Sequence, residues 1–190
     1  MPIENISEEA QWFLKTLQTL QDDFAESIGA QIVTTDKNGD LVTKMSGQMR
    51  VCSDFIQKTE KGKKGCTDTY HTALGLVREM KEPAFMDCFA GYASLWVPIK
   101  VNGEIVGSIT GCGGRFDRGE SREEMEKKAK KLADDLGVET SEEYLKEAID
   151  KVKVVTEEEM KKKSRKAVKI SGNSGRGNGL EGSLRLAGRF

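Results

Sequence analysis

Apolar residues recur at spacings of four, three, four and four through Phe13, Leu17, Leu20, Phe24 and Ile28, which puts one apolar stripe on a helix. Ser7 ahead of Glu8 and Glu9 supplies an N-cap with acids in the first turn, and Gly29 ends the helix. The stripe suits packing on its own domain. Its coiled-coil spacing equally suits a seam with a second copy. The period then drops to two. Residues 30–35 and 41–45 read as paired strands, joined by a turn with Asn38-Gly39 at its centre. Residues 50–80 are helical and polar, with an interruption at Lys61-Gly62-Lys63-Lys64-Gly65. This predicts two short helices, one carrying Cys52 and one starting near Cys66. Three β-like runs follow at 84–88, 93–101 and 104–111, the last two around Asn102-Gly103, a second hairpin signal.

Beyond Asp117 the chain becomes charged. Ser121 followed three residues later by Glu124 is a capping-box pattern and opens a helix running to Gly137. Thr140 or Ser141 caps another through Ile149, and Thr156 caps a third over 157–170. The basic run Lys161 to Lys166 on that last helix reads as a solvated face, so direct nucleic-acid binding is not expected. The element order predicts an α+β fold. It is a PAS-like five-stranded antiparallel sheet with inserted short helices, an N-terminal helix and C-terminal helices, occupying residues 1–170. Residues 171–190 are Gly-rich without periodicity and are expected to form a flexible tail.

Composition narrows the function. Hydrophobic residues make up 37%, charged residues 32%, and net charge is −1, so no global field favours nucleic acid or an anionic membrane. No stretch approaches the roughly 20 apolar residues of a membrane helix, and the N-terminus lacks a basic, then apolar, leader. A cytoplasmic protein with reduced thiols is expected. That frames the four cysteines, Cys52, Cys66, Cys88 and Cys112. No Cys-x-x-Cys pair is present, so placement carries the argument. Two fall on the inserted helices and two at strand ends, positions that can converge on one pocket. Four thiolates can hold an iron–sulfur cluster or a tetrahedral zinc, and two can form a reversible disulfide. Equally, each can be a small buried apolar side chain. Gly107, Gly111, Gly113 and Gly114 crowd Cys112, where they allow close backbone approach or mark a bulge. His71 is the single histidine, and no phosphate loop or nucleophile elbow appears. An enzyme is not expected.

Several segments in order resemble the PocR-type sensory domain. They are Leu17–Ala25 leading into the first strand, Cys52, Gly65-Cys66, Cys88-Phe89-Ala90-Gly91-Tyr92, Val97-Pro98-Ile99, Asn102 to Gly107, and Glu143-Tyr144-Leu145 with the helix after it. The resemblance covers about residues 7–170. It implies a PAS-like ligand-binding module serving a histidine kinase or a transcription regulator, here a separate protein. Cys52, Cys66 and Cys88 look like the family's recurring cysteines. Cys112 stands where the family is usually polar and uncharged, which raises the case for a four-thiolate site. The leading expectation is a sensor whose four cysteines bind a metal centre, an iron–sulfur cluster ahead of zinc. The alternative is a metal-free small-molecule module whose pocket is lined by Phe55, Phe85, Phe89, Tyr92 and Trp96. A homodimer through the N-terminal helix is a further expectation.

Overall fold

Helix α1 (Glu8–Ile28) is capped by the Ser7 side chain, which accepts from the Ala10 amide, and closes on Gly29 in the left-handed conformation. The structure, a computed structural model, describes residues 7–170; the segment 171–190, expected to be a tail, lies outside the described residues. Strand β1 (Gln31–Asp36) follows α1. A single π-helical turn (Cys52–Ile56) and helix α2 (Glu60–Met80) come next. Strands β2 (Ala84–Asp87), β3 (Ala93–Val101) and β4 (Glu104–Phe116) form the body of the sheet. Helices α3 (Arg122–Leu136) and α4 (Glu142–Asp150), strand β5 (Val154–Val155) and helix α5 (Glu157–Ile170) complete the chain.

The sheet order is β1-β4-β3-β2, antiparallel throughout, with β5 as the fifth strand on β4. This is the expected mixed fold of five-stranded open sheet, inserted helices, N-terminal helix and C-terminal helices. Alternation splits the sheet residues between two faces. Ile32, Leu95, Val97 and Ile109 face α1 and α5, meeting Ala25, Phe24, Ile28 and Met160. Val33, Ala84 and Trp96 face α2, meeting Tyr70, Ala73 and Val77. A third core joins the π turn and Tyr92 to α3 and α4 through Phe55, Ile56, Ala133, Leu136 and Ile149.

Two expectations are corrected. Residues 41–45 do not form a strand. This segment and Ser46 meet β1 irregularly, through the isolated bridges Thr35 with Leu41 and Ile32 with Ser46 and through the Val42 and Thr43 amides, which both donate to the Thr34 carbonyl. Side chains from α1 also capture this segment's backbone. Gln21 donates to the carbonyls of Ile32 and Lys44 and to Ser46 Oγ, and its own oxygen accepts from Thr34 and Thr43. Gln18 accepts from the Lys44 amide at 2.8 Å. The fifth strand is β5, which pairs parallel to β4 just beyond the end of β1. Gly114 permits this, since a Cβ there would stand 2.4 Å from the Lys153 carbonyl oxygen.

The second correction concerns the interruption at 61–65, which lies inside the first turns of one 21-residue helix. Its glycines serve contact, not flexibility. A Cβ at Gly62 would stand 2.3 Å from the Ile56 carbonyl, and one at Gly65 would stand 2.6 Å from the Phe89 ring. The helix carrying Cys66 therefore starts at Glu60, capped by Thr59.

Gln21→Met keeps the length of the side chain and strands the buried Thr34 and Thr43 hydroxyls. A stability loss of about 2 kcal/mol or more is expected, since a buried group left unsatisfied costs roughly 1–3 kcal/mol. A denaturant melt of the variant checks it, and a loss within error of zero would remove this network from the account of the fold.

Candidate functional site

The four cysteines arrive from four different elements. Cys52 opens the π turn, its carbonyl accepting from the Gln57 amide at 2.8 Å. Turns of this kind are frequent at functional sites. Cys66 lies in the second turn of α2, and its sulfur accepts from Gln57 Nε2 at 3.6 Å. Cys88 starts a tight turn after β2, closed by its amide to the Tyr92 carbonyl and by the Gly91 amide to its own carbonyl, both at 2.8 Å. Gly91 takes φ 76° there. Cys112 lies within β4, opposite Ser94 and Gln31 and in phase with Thr110, which pairs with Trp96 and Val33. It therefore belongs to the α2 face of the sheet. The 88–92 turn is docked on α2. The Phe89 amide donates to Thr69 Oγ1 at 3.2 Å, Thr69 donates to the Gly65 carbonyl at 2.8 Å, and the Phe89 ring covers Gly65.

The thiols act on one another. Burial pushes Cys52 up most, followed by the charges of Cys88 and Cys66. Cys66 is pushed to about 12 by burial and by Cys88, against the hydrogen bond from Gln57. Burial likewise raises Cys88. Cys112 is held well above the usual thiol range by burial, then by Cys88, Cys52 and Cys66 in turn. All four are free thiols, Cys52 buried and the others partly so. Two phenols share the space. Tyr70 is raised by burial and then by all four cysteines. Tyr92 is raised by burial, opposed by Arg115, and raised again by Cys52 and Cys88. The residues are 8% and 4% exposed, and neither hydroxyl hydrogen-bonds to a described residue, although the buried side-chain oxygen left without a partner among the described residues is Asp87 Oδ1. Buried phenols usually find a partner. Among the described residues no group of three or more His, Cys, Asp or Glu is arranged to hold a metal ion.

Metal-free, these thiols make the fold alkali-sensitive. Each is raised on folding, so its contribution is complete below the unfolded thiol value of about 8.5 and is lost as pH rises through the folded one. The melting temperature of the metal-free protein is expected to fall steadily above pH 8.5. A melting temperature flat to pH 10 would show the thiols ionising as freely folded as unfolded.

The model of the sensory domain found in PocR matches residues 13–173. The chain belongs to the PocR sensory-domain family. No curated protein matches it. As a PocR domain it has a sensory role, linked to a signalling partner. No helix of the described residues is long and apolar enough to cross a membrane.

The aromatic side chains expected to line one pocket of this PocR domain lie in separate places. Phe55 and Tyr92 belong to the core against α3 and α4. Trp96 is fully buried against Tyr70 under α2, ring centroids 5.3 Å apart. Phe85 packs on the opposite face of the sheet. Phe89 is 40% exposed, over Gly65. Phe55 and Tyr92 share their core with Cys52, Cys66 and Cys88, and Trp96 shares its core with Cys66. Tyr70 and Thr69 were not singled out by sequence reasoning, and Gly65 was read as part of a break and of the family resemblance, not as the seat of the Phe89 ring. Tyr70 was findable, because it lies four residues after Cys66 on the same helix and hence on the same face. His71 is exposed on α2.

Proposed function

We propose that this PocR domain senses redox state or a small ligand through an iron–sulfur cluster held by Cys52, Cys66, Cys88 and Cys112. The observation that supports the reading is that Cys52, Cys66 and Cys88 share one core with Tyr92, while Cys112 lies on the α2 face of the sheet beside it. Cluster sulfur accepts hydrogen bonds, and such bonds tune cluster potentials, so Tyr70 and Tyr92 fit as its donors. Cationic iron also reverses the burial and mutual repulsion that hold the metal-free thiols protonated. Zinc is the weaker candidate. At a Zn–S distance of about 2.3 Å it needs its sulfurs drawn tightly together, whereas a cluster places its own iron and sulfide between the thiolates. The cluster would supply one-electron chemistry. The chain's residues would tie the π turn, α2, the 88–92 turn and β4 to one point, so that loss of the centre loosens the inserted helices from the sheet.

The output surface in this reading is the outer side of α1. Trp12, Phe13 and Leu20 are 68%, 59% and 57% exposed there, and a homodimer or a separate histidine kinase or transcription regulator would cover them. A thiolate centre also suits a reducing, cytoplasmic setting. A second reading is favoured by the same two phenols: a metal-free pocket in which Tyr70 and Tyr92 hold a polar small molecule.

Purification without oxygen, followed by visible absorption with iron, sulfide and zinc analysis on one sample, separates these readings. Broad visible absorption with matching iron and sulfide is the expected result. Zinc alone makes the cysteines structural. A colourless protein without either metal leaves the small-molecule reading standing and sinks the cluster.

A further inference from the structure

A cleft of about 280 Å³ opens between the 89–91 turn, the end of β4 and α3. It is separate from the space between the cysteines. Its lining mixes apolar surface from Phe89, Phe116 and Leu132 with four cationic side chains and two carboxylates. Most of those charges are matched. Arg118 pairs with Asp87 at 2.5 Å, and Lys128 pairs with Glu120. Arg115 is different. Its side chain is only 11% exposed and has a single ion pair, to Glu120 at a loose 3.6 Å. Its guanidinium stands 5.9 Å from the Tyr92 ring centroid. None of its five N–H donors makes a hydrogen bond to a described residue, so the fork is free to receive an acceptor that enters the cleft. Lys131 at the rim is exposed and unpaired among the described residues.

We infer that this cleft binds a small organic carboxylate with an apolar body. Arg115 receives the carboxylate through two parallel N–H donors, the geometry a guanidinium fork matches best. The hydrocarbon body lies against Phe89, Phe116 and Leu132, and Lys131 adds attraction at the mouth. Inorganic phosphate matches the fork but leaves the apolar walls unused. The ligand site borders the turn that positions Cys88, so occupancy bears on the same turn from its outer side.

Isothermal titration calorimetry of the whole protein with benzoate, and separately with inorganic phosphate, tests this. One benzoate per chain is expected, bound more tightly than phosphate and weakened by added salt. Arg115→Met is expected to weaken benzoate at least tenfold. Arg115→Lys should recover little of that, because it restores the charge without the fork. Lys131→Glu, a surface change that leaves the core untouched, should weaken it several-fold and keeps the test valid if the Arg115 variants melt early. Absence of benzoate binding overturns the inference. So does binding that survives both Arg115→Met and Lys131→Glu, or phosphate binding as tightly as benzoate.

Discussion

Cys52→Ser is expected to bring bound iron and visible absorption to background in protein purified without oxygen. Serine preserves the size of the side chain and removes the soft thiolate that iron requires. The remaining thiols sit in surroundings that hold them protonated, so three of them gain little from a partly filled site. Because metal binding is folding free energy in sites of this kind, the variant should also melt at the temperature of the metal-free parent, and no lower. That second reading separates loss of the centre from loss of the fold. Cys66→Ser and Cys88→Ser should behave alike. Cys112→Ser is the discriminating case: unchanged iron there would confine the site to the other three cysteines. Unchanged iron in Cys52→Ser would end the cluster reading.

Trp96→Ala is expected to destabilise the domain by about 3–5 kcal/mol, the usual range for removing a large aromatic from a packed core. Trp96 is fully buried. Its ring meets Tyr70 edge-on, and its indole N–H donates to Ser94 Oγ at 3.0 Å, while Ser94 in turn donates to the Met86 carbonyl at 2.7 Å. The substitution therefore opens a cavity and leaves the Ser94 bridge short of a donor. Set against a typical total of roughly 5–15 kcal/mol, the loss is large enough to see in a single denaturant titration. It also reaches the site, because Tyr70, which shares a core with Cys66, would lose the ring it packs against. Trp96→Phe, which keeps most of the contact, should cost far less. A loss below about 1 kcal/mol for Trp96→Ala would mean that the site collapses around the gap with little penalty.

What the sequence revealed of this fold was local, and what it hid was not. The capping box at Ser121 and Glu124 is present in full, with both hydrogen bonds made. The Asn102-Gly103 turn joins β3 to β4 with both residues at positive φ, as such a pair demands. The expectation that the cysteines could converge followed from assigning each to its element, two to the inserted helices and two to the ends or edges of strands. The expected strand at 41–45 failed because its partner was a pair of glutamines more than twenty residues away, and no β pattern reports a side chain that competes for backbone. Gly62 and Gly65 were read as a break because the reasons for them lie at Ile56 and Phe89, outside any helical window. The two-residue β5 is too short to show a period at all. Tyr70 was hidden by its own ordinariness, since an aromatic on an apolar helix face looks like core until its hydroxyl is found without a partner.

The π turn at Cys52–Ile56 has one more consequence. Such a turn closes its hydrogen bonds one residue later than an α-helix does, so the segment carries a surplus residue. Deleting any one of Ser53, Asp54, Phe55 or Ile56 would let the backbone settle into a regular helix. At 3.6 residues per turn, that would swing the preceding chain by about 100° around the axis. Cys52 would then leave its neighbours, although every cysteine would still be in the sequence. The direction in which this thiol points is therefore fixed by the length of the loop as much as by its composition, and a relative shorter by one residue here would be a different kind of sensor.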